Sequence, residues 1–141
     1  MRRPLSAVVL LVLLTGCSTT AETPRRVSDS FAEVFAGLYV SQQAALGRTD
    51  LTRASLHTRG VCHRTGSSGQ GPGEDWLCLV QYVDADTVGT QSFEMQVKPD
   101  GCWKADGPPT LQPATLADPV TGTPMVNQLS EFDGCLDTSW R

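Results

Sequence analysis

Four cysteines in the body of this 141-residue chain, Cys62, Cys78, Cys102 and Cys135, constrain its fold more than any other feature. The length allows one ordinary domain. An even number of cysteines in a small domain outside the reducing cytoplasm indicates a disulfide framework, with three possible connectivities for four cysteines. We favour Cys62–Cys78, whose members flank a glycine-rich loop, and Cys102–Cys135, whose members each follow a turn. Two bridges of this kind predict a small domain held together by its cross-links.

The first sixteen residues are typical of a bacterial export signal. A basic start, Met1-Arg2-Arg3, precedes an apolar run over residues 5–14. That run is too short to cross a bilayer, which takes about 20 apolar residues, and has the length of a signal-peptide core. Leu14-Thr15-Gly16-Cys17 follows directly. An aliphatic residue, two small residues and a cysteine in this order resemble the lipobox of bacterial lipoproteins.

The lipobox resemblance implies how the chain is processed and where it resides. The Cys17 thiol would receive a diacylglyceryl group, and a dedicated peptidase would cut just before it. Two acyl chains give firm anchoring, whereas one gives marginal anchoring. We therefore expect a signal peptide over residues 1–16, a lipidated N-terminus and flexible tether over 17–27, and a single globular domain over 28–141. The domain would be anchored in the cell membrane and face outside the cytoplasm.

The charge balance argues against a nucleic-acid partner. The whole chain has eleven Lys and Arg against fifteen Asp and Glu. Removing Arg2 and Arg3 with the signal peptide leaves nine basic residues and a net charge of −6. A phosphate backbone would repel such a chain.

One amphipathic helix is predicted near the start of the domain. Ser30 and Glu33 have capping-box spacing, and apolar residues recur at helical intervals from Phe31 to Leu46. Gly47 is a natural stop. We interpret the aromatic stripe as core.

Alternation of apolar and polar residues predicts strands in the rest of the chain. In Gln91–Lys98, we expect Phe93, Met95 and Val97 to face inward. Trp76–Val83 is apolar on both faces and is expected to be a central strand. The other candidate strands are Arg53–His57, Gly60–Arg64 and Cys102–Ala105, with a loop over 66–75 and a turn at Pro99-Asp100-Gly101.

The proline-rich stretch 108–124 should be irregular and extended, wrapped over the sheet. The fold class is therefore α+β: one N-terminal helix packed on a small antiparallel sheet of about four strands, with disulfide cross-links. Cystatin-like and NTF2-like proteins have elements in this order.

The cysteines do not have the spacing of a metal site or of a catalytic thiol. Zinc sites favour close pairs such as C-x₂-C, which this chain lacks. Cys62 and His63 are adjacent, but neighbours on a strand point to opposite faces. We expect no metal and no cofactor.

The other candidate motifs, one for a catalytic serine and one for a calcium site, are weak. Gly66-Ser67-Ser68-Gly69 misses the nucleophile-elbow spacing by one residue. Four carboxylates could hold Ca²⁺ weakly, but they lack EF-hand spacing and are interpreted as solvated turn residues. They are Glu74, Asp75, Asp84 and Asp86.

A second resemblance concerns the domain itself. Asp100-Gly101-Cys102-Trp103-Lys104-Ala105 and the segment Phe132-Asp133-Gly134-Cys135, together with the lipobox, resemble small secreted lipoproteins of high-GC Gram-positive bacteria. The resemblance implies a location in the cell envelope and no particular activity.

The sequence therefore predicts a non-enzymatic, lipid-anchored envelope protein that binds a partner or ligand. Two alternatives stay open. One is a carrier for a small apolar ligand, with Trp76, Phe93 and Trp103 lining a cavity. The other is a small hydrolase or thiol enzyme that uses His57 or His63.

Overall fold

A 22-residue helix lies across one face of a five-stranded antiparallel sheet. The computed structural model describes residues 22–66 and 69–136. The sheet order is β1-β2-β3-β4-β7, and β5 pairs with β6 in a separate hairpin. The elements are α1 (Pro24–Ala45), β1 (Arg59–Arg64), β2 (Gly73–Asp84), β3 (Thr87–Val97), β4 (Cys102–Asp106), β5 (Thr115–Ala117), β6 (Pro124–Val126) and β7 (Glu131–Cys135). The predicted α+β class is confirmed, with five strands in the main sheet instead of about four.

Helix α1 starts earlier than the capping-box pattern predicts. Thr23 is the N-cap, and its Oγ1 accepts a hydrogen bond from the Arg26 backbone N–H at 3.4 Å. Pro24 occupies the first turn, where its missing N–H costs nothing. The helix therefore begins inside the expected tether 17–27. Gly47, with φ of 89°, follows its end as predicted.

Ser30 is a residue of the helix interior and not its cap. Its hydroxyl donates to the Cys135 carbonyl at 3.1 Å and accepts a hydrogen bond from Trp103 Nε1 at 3.0 Å. Ser30 thus ties the first half of α1 to β4 and β7. The prediction was wrong because Thr23-Pro24, a cap followed by proline, is the stronger start signal.

Alternation along the strands separates an inner face, against α1, from an outer face. The inner face forms the core with the helix. Phe31 packs at ring-centroid distances of 5.4 Å from Phe93 and 5.7 Å from Phe132. The predicted burial of Phe31, Phe35, Phe93, Met95 and Val97 is confirmed. On the outer face lie Val61, Leu77, Leu79, Ser92, Glu94, Lys104, Asp106, Glu131 and Asp133.

Strand β2 lies between β1 and β3, but it is not buried on both faces. Trp76, Cys78 and Val80 are in the core, whereas Leu79 on the outer face is 40% exposed. Leu79 lies opposite Val61, which is 55% exposed. A short apolar run cannot distinguish a strand covered on both sides from one covered on one side.

The predicted strand Arg53–His57 is wrong. Residues 53–57 form turns, and His57 has φ of 45°. Ser55 and Thr52 exchange hydrogen bonds between side chain and backbone at 3.0 and 3.1 Å, which favours a turn. Leu56 is completely buried and anchors this turn on the core.

Residues 107–130, the β4–β7 connection, contain the whole proline-rich stretch 108–124. They are not irregular throughout, because β5 and β6 form a short hairpin within them. The Gly107 N–H donates to the Ser130 carbonyl at 2.9 Å, closing the base of the connection. The Gln128 N–H donates to Gln42 Oε1 of α1 at 2.8 Å. The connection is therefore fixed at its base and against the helix.

Candidate functional site

The two disulfides join residues that lie directly opposite each other on neighbouring strands. The structure links Cys62 to Cys78 and Cys102 to Cys135, the pairing favoured from the sequence. Cys62 and Cys78 are buried on the inner face, whereas Cys135 is exposed on the outer face. All four sulfurs are consumed in bridges, so none is a free thiol.

Neither histidine is assembled into a catalytic arrangement in the part of the chain that the structure describes. His57 and His63 are exposed, and no hydrogen bond or ion pair joins either imidazole to another described residue. The Gly66-Ser67-Ser68-Gly69 motif lies partly outside the described residues, because 67 and 68 are among those left out.

The three aromatic residues suggested as cavity lining belong to the core. Trp76 and Trp103 are at most 2% exposed, and Phe93 is 1% exposed. Trp76 Nε1 donates to the Gly71 carbonyl at 3.2 Å. Of the three, only Phe93 borders the cavity described below.

The four turn carboxylates lie at opposite ends of β2. Glu74 and Asp75 are near its start, and Asp84 and Asp86 are at its end. Asp75 pairs with Arg64 at 2.6 Å, and this hydrogen bonding lowers the pKa of the carboxyl. Within residues 22–66 and 69–136, no group of three or more His, Cys, Asp or Glu side chains could hold a metal ion.

Asp84 forms an ion pair with Arg48 and a hydrogen bond with Tyr39. Arg48 Nη1 donates to Asp84 Oδ2 at 2.6 Å, Nη2 donates to Oδ1, and the Tyr39 hydroxyl donates to Oδ2 at 2.6 Å. The two-pronged Arg48 contact and the Tyr39 bond lower the pKa of Asp84 to about 2. Burial raises the pKa of Tyr39, and the Asp84 bond adds to this. The network joins the end of α1 to the β2–β3 turn.

A cavity of about 560 Å³ lies between the outer face of the sheet and the β4–β7 connection. Leu77, Ser92 and Glu94 of β2 and β3 contribute the sheet wall. The connection contributes the opposite wall, which contains Pro108, Pro109, Gln112 and Ala114. The volume is within the range of small-molecule sites, about 300–1,000 Å³.

Three carboxylates form a line along one side of this cavity. Glu94 lies opposite Asp106, and Asp106 lies opposite Glu131, on the three neighbouring strands β3, β4 and β7. We call Glu94, Asp106 and Glu131 the acidic row. All three line the cavity.

One ammonium group accompanies the acidic row. Lys104 Nζ lies 3.1 Å from Glu131 and 3.6 Å from Asp106. The Glu131 hydrogen bond raises the pKa of Lys104. Glu94 has no hydrogen bond or ion pair with another described residue.

Gln112 is the buried polar residue of the cavity wall. It is 7% exposed, and its Oε1 accepts a hydrogen bond from Asn127 Nδ2 at 3.1 Å. Asn127 Nδ2 also donates to the Pro113 carbonyl at 2.7 Å, and Asn127 Oδ1 accepts from the Leu129 N–H. This network fixes which end of the Gln112 amide is the acceptor.

The sequence analysis did not single out the residues of this site. Glu94 lies in the predicted strand Gln91–Lys98, on the face opposite Phe93 and Met95 as the alternation predicts, but Glu131 lies in strand β7, which was not predicted. The segment Glu131–Cys135 is short and contains Asp and Gly, which are depleted in strands, so its pairing with β4 could not be predicted. Gln112 lies in a proline-rich stretch where a polar residue is ordinarily exposed.

Residues 1–18 match the family model for the prokaryotic membrane lipoprotein lipid attachment site. The match covers the basic start, the apolar run and the lipobox with Cys17, all of which lie outside the described residues. The protein is therefore a bacterial lipoprotein, attached to a membrane through a lipid anchor.

No curated protein and no solved structure matches the chain. The resemblance to lipoproteins of high-GC bacteria and the cystatin-like or NTF2-like arrangement stay predictions. Among the described residues, no helix has the length and apolar character needed to cross a membrane.

Proposed function

We propose that this lipoprotein is a non-enzymatic binding module that faces outside the cytoplasm and takes up a ligand in the outer-face cavity. The observation that carries the proposal is the cavity itself, about 560 Å³ between the sheet and the β4–β7 connection. The two disulfides support the location, because such bridges persist in oxidising compartments.

The cavity walls have the rigidity that a pre-formed site needs. One wall is a hydrogen-bonded sheet, and the Cys102–Cys135 bridge links two of its strands. The other wall is held by the Gly107–Ser130 and Gln112–Asn127 hydrogen bonds and by Gln42 of α1. A site with walls held in this way loses less conformational entropy on binding than a mobile loop would.

The positions of the histidines and cysteines support a role without catalysis. General-base chemistry needs an imidazole within hydrogen-bond reach of the proton it takes, commonly with a third group orienting the ring. His63 is exposed on β1, and Cys62 beside it is bonded to Cys78. A thiol mechanism would need a thiolate, which a disulfide does not supply.

The composition of the cavity argues against the apolar-ligand carrier. Leu77, Pro108 and Pro109 offer apolar surface, but the acidic row lines the same space. Burying a carboxylate against a wholly apolar ligand costs free energy unless the carboxylate finds a partner. We therefore propose a ligand with both polar and apolar parts.

The test uses full-length lipidated protein in a nonionic detergent and three probes of one size. The probes are 2-phenylethylamine, 2-phenylethanol and phenylacetate, followed by ligand-observed NMR. Ser92→Trp places an indole in the cavity, and Thr90→Trp places the same group two residues away on the same strand, outside the cavity lining. We expect at least one probe to bind in a way that S92W abolishes and T90W leaves intact. Binding of no probe, or equal effects of both variants, would overturn the proposal.

A separate experiment tests the proposal that the protein acts without catalysis. In a strain that lacks the gene, the double variant H57A/H63A should restore any phenotype as fully as the wild-type protein. A folded double variant that fails to restore it would support the enzyme alternative.

A further inference from the structure

We infer that Tyr39 of α1 and Tyr82 of β2 form a site of oxidative cross-linking, where a one-electron oxidant joins the two rings through a carbon–carbon bond. These residues are the only two tyrosines of the chain. The site is on the inner face of the sheet and does not depend on a ligand in the outer-face cavity. Three observations carry the inference: the contact between the rings, the bonding of the hydroxyls and the access from solvent.

The two tyrosine rings are in direct contact. Their centroids are 4.8 Å apart, the shortest ring–ring distance among the described residues, and their planes are tilted by 49°. Phe35 packs against both rings, at 5.8 Å from Tyr39 and 5.4 Å from Tyr82. Tyr82 also lies over Gly89, where an added Cβ would overlap the ring. The surrounding residues therefore hold the two rings together before any reaction.

The hydroxyl groups bring the reactive ring carbons close to each other. The Tyr39 hydroxyl donates to Asp84 Oδ2 at 2.6 Å, and the Tyr82 oxygen accepts a hydrogen bond from Gln91 Nε2 at 3.1 Å. Burial raises the pKa of Tyr82, whereas its hydrogen bond with the Tyr39 hydroxyl lowers it, so the two oxygens are neighbours. Tyrosyl radicals couple at Cε, the carbon next to the one that carries the oxygen. Neighbouring oxygens therefore favour coupling between these carbons.

An oxidant can reach this pair from solvent. Tyr39 and Tyr82 line a surface cavity of about 390 Å³, together with Arg48 and Asp84. Tyr82 is half-buried and Tyr39 is 7% exposed, so we expect Tyr82 to lose its electron first. The carboxylate of Asp84 is in place to take up the phenolic proton when Tyr39 is oxidised in turn.

The reaction is a two-electron, two-proton oxidation of the protein. Each phenol loses one electron and its hydroxyl proton, which gives a neutral tyrosyl radical. The two radicals form one bond between their Cε carbons, and the hydrogen on each of these carbons then transfers to the oxygen of the same ring. Two Cε–H bonds are thus replaced by one Cε–Cε bond. The two electrons pass to the oxidant, for instance persulfate, which is reduced to sulfate, and the two protons pass to water.

The cross-link would tie the helix covalently to the sheet. The Cys62–Cys78 and Cys102–Cys135 bridges each join two strands, and neither includes α1. A bond between Tyr39 and Tyr82 would close a further long loop of the chain. Such a cross-link restricts the unfolded chain and thereby stabilises the folded state.

The experiment oxidises the full-length lipidated protein in a nonionic detergent with tris(bipyridyl)ruthenium and persulfate under visible light. The matched variant Tyr82→Phe/Val88→Tyr keeps two tyrosines but moves one of them to position 88, where Val88 is 66% exposed on the outer face. Dityrosine is measured in the monomer, isolated under denaturing conditions. We expect at least about tenfold more in the wild type than in Y82F/V88Y, because groups held in contact react much faster than groups that must meet.

Further readouts identify the bond. The wild-type monomer should lose the mass of two hydrogen atoms, peptide mapping should join Tyr39 to Tyr82, and the yield should not change on dilution. The cross-linked monomer should unfold at a higher urea concentration than the untreated protein.

Dityrosine confined to covalent dimers, or equal yields in the monomers of wild type and Y82F/V88Y, would overturn the inference. Oxygen addition to tryptophan or methionine without any loss of hydrogen would overturn it as well. These results are independent of ligand binding in the outer-face cavity.

Discussion

Trp103 and Gly134 lie directly opposite each other on β4 and β7, and the indole ring fills the space a side chain at Gly134 would occupy. A Cβ added at Gly134 would lie 2.5 Å from Trp103 Cζ2. Trp103 is also held by its hydrogen bond to Ser30, so the ring cannot move away without losing that contact.

Gly134→Ala is therefore expected to destabilise the protein by about 2 kcal/mol, the usual cost of overpacking a core. Urea unfolding monitored by tryptophan fluorescence measures it. The double variant G134A/W103F should lose less than the sum of the single variants, because a phenyl ring lacks the clashing atoms. Additive losses would show that the ring does not impose the glycine.

Removing the two disulfides should lower the free energy of unfolding by different amounts. We expect the larger loss for the bridge that closes the shorter loop. The chain-entropy account gives about 3 kcal/mol for a loop near 15 residues and somewhat more for a longer one. The bridges span 16 and 33 residues. Because Cys62 and Cys78 are buried, C62A/C78A also leaves a core cavity. We expect it to lower the urea midpoint more than C102A/C135A does, and the reverse order would favour loop entropy alone.

Asp84→Asn should destabilise the protein by about 1–2 kcal/mol at neutral pH, since it breaks a partly exposed ion pair and its hydrogen bonds. The folded-state pKa of Asp84, about 2, is below its unfolded value. Its stabilising contribution is therefore complete above about pH 4 and is lost as the pH falls toward 2. The unfolding free energies of wild type and D84N should converge over that interval.

The control for Asp84 is Asp86→Asn, an exposed carboxylate in the same turn without an ion pair to another described residue. It should change stability by less than about 0.5 kcal/mol at any pH. A D84N difference that persists unchanged at pH 2 would contradict the role given to the Asp84 charge.

Cys17→Ser should release the protein from the membrane fraction or leave it with its signal peptide uncut, because the acyl chains supply the anchoring. Intact mass of the wild-type membrane fraction should show loss of residues 1–16 and an added diacylglyceryl group. Ser18→Ala, one residue beyond the lipobox, should keep the lipid.

Alkylation of the mature protein should modify four thiols only after the disulfides have been reduced. Thiols that react without reduction would contradict the two bridges.

The sequence predicted those helices and strands in which buried and exposed residues recur at regular intervals. Phe93, Met95 and Val97 alternate with polar residues, and β3 follows that pattern. The start of α1 was predicted too late because the Ser30–Glu33 pattern looks the same in sequence whether it lies at the start of a helix or inside one. The Thr23-Pro24 pair is the feature that marks the observed start. β7 was missed because its five residues gain stability from pairing with β4 and not from their own propensity.

One member of the acidic row, Glu131, lies in that missing strand. Glu94 lies in the predicted strand Gln91–Lys98, but Asp106 is one residue beyond the predicted strand Cys102–Ala105, so no predicted register placed the two carboxylates side by side. Gln112 is buried through its bond to Asn127, fifteen residues away, which no local pattern encodes. The disulfide pairing was easier to predict, because four cysteines allow only three arrangements.

The position of α1 sets which end of the domain is held near the bilayer. Pro24 is seven residues from Cys17, a distance of at most about 25 Å even when fully extended. The Gly71 N–H donates to the Glu22 carbonyl just before α1, whereas Asp106 and Glu131 lie at the end of the β4–β7 pair opposite to the Cys102–Cys135 bridge. The residue that carries the lipid therefore stays within about 25 Å of the start of the helix and of the loop that holds Gly71.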